Sequence, residues 1–150
     1  RWLYGIDVVS NGVKMGTPKT VVLAPETDTL DELMPGTWQH LINAVHDYGY
    51  EPVVVGTRNR GNLHDCTDLR GLTSVPVMAR MIAESAGFIG AHSFPWHLAR
   101  HSEVPAVCLQ TWRDGLRRCL PVDTGCTWME PKDFLAAVPT VLNQNVMVSA

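Results

Sequence analysis

No stretch of this sequence approaches the roughly 20 consecutive apolar residues that a bilayer-spanning helix needs, so no transmembrane segment is expected. No Cys-x-x-Cys pair occurs, which leaves Cys66, Cys108, Cys119 and Cys126 without zinc-ligand spacing; no metal is expected. No Gly-x-Gly-x-x-Gly follows the first strand-like run and no P-loop is present, which weighs against dinucleotide-binding and ATPase readings. Charge of one sign is also missing. Twelve basic residues stand against 15 acidic ones, for a net charge of −3, so there is no electrostatic footprint for nucleic acid or an acidic membrane. Internal repeats and low-complexity segments are absent. The opening Arg1-Trp2-Leu3-Tyr4-Gly5 shows neither a signal-peptide pattern nor an initiator Met, and the chain reads as a fragment or a processed product. Cys66 and Cys108, beside apolar strands, read as buried thiols. Cys119 and Cys126 bracket a loop and could pair in an oxidising compartment; a reduced, cytoplasmic protein is the simpler expectation.

What is present is enough for one packed domain: 150 residues, 45% of them hydrophobic. Thr20-Val21-Val22-Leu23-Ala24 is a continuous apolar run ended by Pro25, the pattern of a strand buried on both faces of a parallel sheet. Residues 51–55, 66–69, 87–90 and 104–109 read as further strands. Between them, Trp38, Leu41, Ile42 and Val45 make one helical stripe stopped by Gly49. Val75, Met78, Ala79 and Ile82 make a second, capped by Ser74. A last helix opens at Glu130-Pro131, with Phe134, Leu135, Val138 and Val141 on one face, and Pro139 predicts a kink or an early end. Residues 1–18 read as a lead-in or linker with a short strand near Ile6. Residues 111–129 read as irregular, and 143–150 as a weakly ordered tail. The order β-α-β-β-α-β-α-β-α predicts one Rossmann-like α/β domain over 19–142, a mostly parallel sheet flanked by helices with right-handed crossovers.

The segment from Gly87 to Ala99 is where function is expected. A short buried strand runs into a turn and then a helix, with Ser93 placed to cap it and Pro95 in the first turn. Free amides and the positive end of a helix dipole then converge on one spot, which suits a phosphate or a carboxylate, and His92 and His97 flank it.

Three stretches together resemble the C-terminal half of glycosyltransferase family 9, the heptosyltransferase-like enzymes of GT-B fold. Residues 68–76 and 86–99, Asp-Leu-Arg-Gly-Leu-Thr-Ser-Val-Pro followed by a strand and His-Ser-Phe-Pro-Trp-His-Leu-Ala, are similar to the family's D-L-x-G-x-T-S-L and D-S-G-P-x-H-L-A. Ser102-Glu103-Val104-Pro105-Ala106-Val107 is similar to its G-V-P-T-V. Met129-Glu130-Pro131-Lys132-Asp133-Phe134 looks like its closing segment. The resemblance runs from about Thr20 to Leu142 and implies a nucleotide-sugar donor-binding domain. It puts the amides around Ser93 and Phe94, with His97, at the donor diphosphate, where the adjoining His92 is a further candidate by its chemistry alone. It puts Thr73 and Ser74 near the nucleoside, with Thr57 at the border of the same pocket. It implies no cofactor and no metal, and it implies a separate N-terminal Rossmann-like domain or second chain carrying the acceptor site and base.

The chain departs from the family pattern in three places. His92 stands where the family has Asp, Phe94 where it has Gly, and Glu32 where its K-x-W-P has a phosphate-binding lysine, a substitution that opposes a diphosphate electrostatically. The alternative reading is therefore a non-catalytic GT-B-derived domain serving assembly. A flavodoxin-like or response-regulator-like module ranks last, because neither an acidic pocket nor a Gly-rich first loop is visible.

Overall fold

The computed structural model describes residues 2–3, 6–7, 19–26, 36–57, 61–91, 93–109 and 126–142. Near the start, β1 (Trp2–Leu3) and β2 (Ile6–Asp7) pair antiparallel. The expected short strand at Ile6 is thus present, but as half of a two-strand ladder.

The remaining strands form one sheet. They are β3 (Thr20–Ala24), β4 (Glu51–Val54), β5 (Thr67–Asp68), β6 (Gly87–Gly90), β7 (Ala106–Leu109) and β8 (Cys126–Met129). Their spatial order is β5-β4-β3-β6-β7-β8, and every pair is parallel. Renumbered within the sheet, this is 3-2-1-4-5-6, the order of the doubly wound Rossmann fold. The expected fold class therefore holds, with one strand more than expected. β8 falls inside the stretch read as irregular. It is four residues long, at the edge of the sheet, and its Thr127, Trp128 and Met129 are only half-buried. Such a strand lacks the continuous apolar run that marked its neighbours, and its register comes from pairing with β7.

Both faces of the sheet are covered, which is why the strands are apolar at successive positions. Along β3, Val21 and Leu23 face one core and Val22 and Ala24 the other. On the first face lie α1 (Thr37–Asp47) and the C-terminal helical segment, through Leu41, Ile42, Val45, Val138 and Val141. On the second lie α2 (Val75–Ala83) and α3 (Phe94–Ser102), through Met78, Ile82, Trp96 and Leu98. The α1 stripe is buried as expected, and Gly49 takes a left-handed φ of 81° just past its end. In α2 the buried stripe is Met78, Ala79 and Ile82. Val75, expected in it, is 46% exposed: as the first helical residue it stands at the sheet's end, a turn short of the core.

The closing helix begins as a 3-10 segment, Pro131–Ala136, broken at Asp133 (φ −97°, ψ 17°), and continues as α-type turns over 137–142. The irregularity expected from Pro139 thus lies ahead of it. Pro139 falls in the first turn after the break, where an absent N–H costs little. The tighter 3-10 winding also turns Leu135 off the stripe, to 72% exposure, while Val138 and Val141 remain buried.

Cys108 is buried, as expected, whereas Cys66 is only half-buried; it stands just ahead of β5, the two-residue strand at the sheet edge. Cys119 lies outside the described residues, and with it the suggested pairing to Cys126.

Candidate functional site

In an open α/β sheet, ligands bind beyond the carboxyl ends of the strands where the strand order reverses. Here that point lies between β3 and β6. The chain leaves β3 through Pro25 and Glu26, and leaves β6 through Ala91 into the turn at Ser93. The Ala91 amide donates to the Ala24 carbonyl at 3.1 Å, so the two strands stay paired up to the rim.

Ser93 opens α3 from an extended backbone (φ −161°, ψ −179°), and Pro95 occupies the first turn. The expected side-chain cap is not made. The Ser93 hydroxyl instead donates back to the Ala91 carbonyl at 3.3 Å. An extended N-cap residue has both options, and here the carbonyl of the tight turn wins. Phe94 is 46% exposed, so its ring stands at the rim and does not fill the core. His97, one turn further, is half-buried with its ring edge-on to Trp96 (centroids 5.1 Å apart). Burial holds its pKa below the usual histidine value, and the nearby Arg100 and His101 push the same way. A neutral imidazole at pH 7 follows, with one N–H to donate. Behind it, Arg100 lies over the Trp96 ring at 4.9 Å, and the Trp128 ring packs against Trp96 with centroids 4.9 Å apart and a 53° tilt. His92 is outside the described residues, as is Glu32.

The β4 end carries a tighter arrangement. Thr57 donates its backbone N–H to Glu26 Oε2 at 2.6 Å and its hydroxyl to Oε1 and Oε2 at 2.7 and 2.8 Å. Gly56 makes room for this: a Cβ there would sit 3.1 Å from Glu26 Oε2. Beside it, Arg70 is 5% exposed. Its Nε and Nη2 donate to the two carboxylate oxygens of Asp68 at 2.9 and 2.8 Å, and Nη2 also donates to the Gly61 carbonyl at 2.9 Å. The Arg70 hydrogen bonds hold the Asp68 carboxyl below the usual carboxylate range despite partial burial. In return the Asp68 hydrogen bond raises Arg70, and Glu26 adds to that from further off. The turn after β5 is locked to β4 by Gly71 N–H to the Gly56 carbonyl at 2.8 Å, with Gly71 at φ 75°.

Two residues further, the Thr73 hydroxyl is buried with no hydrogen-bond partner among the described residues. Ser74 does cap α2, accepting from the Val77 amide at 3.4 Å. Of the residues expected at the site, Thr57, Thr73 and Ser74 therefore cluster beyond β4 and β5, and Ser93, Phe94 and His97 beyond β6. The sequence reading passed over Glu26, Asp68 and Arg70. Only the placement of Glu26 directly after a buried strand hinted at the first, since its partner is 31 residues away. Among the described residues no group of His, Cys, Asp and Glu is arranged to hold a metal ion.

Compared with solved structures, the chain superposes on the Escherichia coli ADP-heptose LPS heptosyltransferase II with a TM-score of 0.69 at 16% identity, over 87% of this chain and 48% of that one. A glycosyl transferase family 9 structure from Veillonella parvula gives 0.69 at 13% identity, over 91% and 49%. The fold is that of one half of a family 9 glycosyltransferase. An E. coli heptosyltransferase solved with ADP-2-deoxy-2-fluoro heptose matches this glycosyltransferase-like domain at 0.60 and 15% identity, over 95% of this chain and 47% of that one. The domain thus spans about half the length of the solved chains it matches. No protein-family model and no curated protein matches its sequence. No described helix is long and apolar enough to cross a membrane.

Proposed function

We propose that this glycosyltransferase-like domain binds a nucleotide-sugar donor, heptose-like in its sugar, for transfer to a glycan or other acceptor. The observation that carries the reading is the reversal of strand order between β3 and β6, which sets the Ser93 turn and the Glu26–Thr57 pair on either side of the position where such sheets hold ligands. The start of α3, which Ser93 leaves without a side-chain cap, suits the diphosphate, with Phe94 at the rim and His97 and His92 beside it. The unpartnered Thr73 hydroxyl suits a nucleoside hydroxyl or base edge, with Ser74 and Thr57 flanking it. Catalysis itself needs a base for the acceptor hydroxyl, and we assign that to an N-terminal Rossmann-like domain or a second chain. No cofactor or metal enters the reading.

Thermal unfolding with ADP, UDP, GDP and their sugars tests it. A donor nucleotide at about a hundred times its Kd raises Tm by roughly 5 °C or more through linkage. An unchanged Tm at millimolar concentration, with the fold intact, removes the proposal. It would leave the second reading, a non-catalytic assembly domain, which the exposed Leu72 and Val75 beside the same rim favour.

A further inference from the structure

We propose that Glu26 is an internal occupant of the donor site, its carboxylate filling the hydrogen-bonding position at Thr57 that a nucleoside diphosphate must take over. This rests on the donor-binding reading and adds a device to it. Three observations lead there. A strand-end amide and a hydroxyl on the same residue form a compact two-donor cradle for an oxyanion, and both donors of Thr57 converge on this one carboxylate at 2.6 to 2.8 Å. The cradle is shaped for the approach, because the missing Cβ of Gly56 is what lets Glu26 Oε2 close in. Finally, Asp68 already answers the charge of Arg70 through two oxygens. Among the described residues, Glu26 adds a second carboxylate at the ends of β3, β4 and β5.

A donor whose nucleoside reaches Thr57 therefore meets a blocked donor pair, and its phosphates carry charge of the same sign as Glu26. Occupation of Thr57 by Glu26 and by the ligand are mutually exclusive, so the ligand binds only where Glu26 has been released. The free site is closed by the chain's own acid, and donor affinity is reduced by the fraction of molecules in which that acid is in place.

Calorimetric titration of ADP, UDP and GDP into the intact chain and its Glu26→Gln, Glu26→Ala and Thr57→Val variants tests this, with circular dichroism reporting the fold. Glu26→Gln keeps the shape and removes the charge, so it carries the test if Glu26→Ala does not fold. The proposal expects Glu26→Ala and Glu26→Gln to bind the preferred nucleotide about tenfold more tightly, or better, than the parent, the scale of one charge-assisted hydrogen-bond set released to the ligand. It expects Thr57→Val, which loses the hydroxyl for acid and ligand alike, to gain nothing. If the parent binds and the folded Glu26 variants bind equally or more weakly, Glu26 is a ligand contact or a structural brace and the proposal is overturned while the donor-binding reading stands. If no variant binds any of the three nucleotides, the donor-binding reading falls and this proposal falls with it.

Discussion

Asp68 shows what a single side chain contributes here. Its carboxylate takes two guanidinium hydrogens from Arg70, and the Arg70 side chain is 3% exposed. Replacing Asp68 with Asn removes this bidentate counter-charge from a buried cation, so Asp68→Asn is expected to cost about 3 kcal/mol of unfolding free energy in urea. His97 gives a pH signature of the opposite cause. Burial lowers its folded pKa below the ordinary 6.5, so between those two values the unfolded chain binds more protons than the folded one. Its share of stability is complete above 6.5 and is lost as the pH falls through that window. Urea unfolding from about pH 7.5 down to about pH 5 should show the loss, and His97→Gln should flatten it over the same range. These residues also mark the reach of local reading. His97 was legible because it sits in a strand–turn–helix pattern. The Glu26–Thr57 bond was not, because residues 31 positions apart meet only once β3 and β4 pair.

Elements differ in how plainly they announce themselves. β3 from Val21 onward, β6 and β7 are buried on both sides and so are apolar at successive positions. β8 is half-buried at an edge and carries no such mark. The two serine-capped helices separate for a related reason. Ser74 (φ −75°, ψ 165°) and Ser93 (φ −161°, ψ −179°) are both extended, the latter more fully, and both precede a proline-bearing first turn, yet only Ser74 bonds into its helix. What decides between them is the preceding turn, whose carbonyl at Ala91 competes for the Ser93 hydroxyl. Packing of one element on another shows most sharply at Gly87. A Cβ there would lie 2.0 Å from Val141 Cγ1 and 3.2 Å from the Pro105 carbonyl. Gly87→Ala must displace the Val141 side chain or the helical segment that carries it and is expected to cost about 2 to 3 kcal/mol, read as a lowered urea midpoint. The motif that carried the family resemblance begins at this same strand, so part of its spelling reflects packing and not ligand contact.

For the molecule as a whole, the decisive fact is extent. The chain superposes on about half of each of the two E. coli heptosyltransferases described above, and sugar transfer on the proposed reading needs chemistry from elsewhere. The 150-residue chain given donor and acceptor is accordingly expected to bind nucleotide without forming glycosidic product in a chromatographic assay. Adding the complementary domain, joined or as a separate chain, should start turnover. Product from the domain alone would place the base within it and overturn that division of labour.

The sheet's outer strand on the β4 side constrains how such a complement attaches. β5 contributes two residues to the ladder and is outermost among the described strands on that side, so it offers a newcomer almost no backbone to zip onto. A second domain or subunit arriving there must hold on by side chains, through shape and charge, and its grip would be tunable by point substitution in a way that a shared, continuous sheet never is.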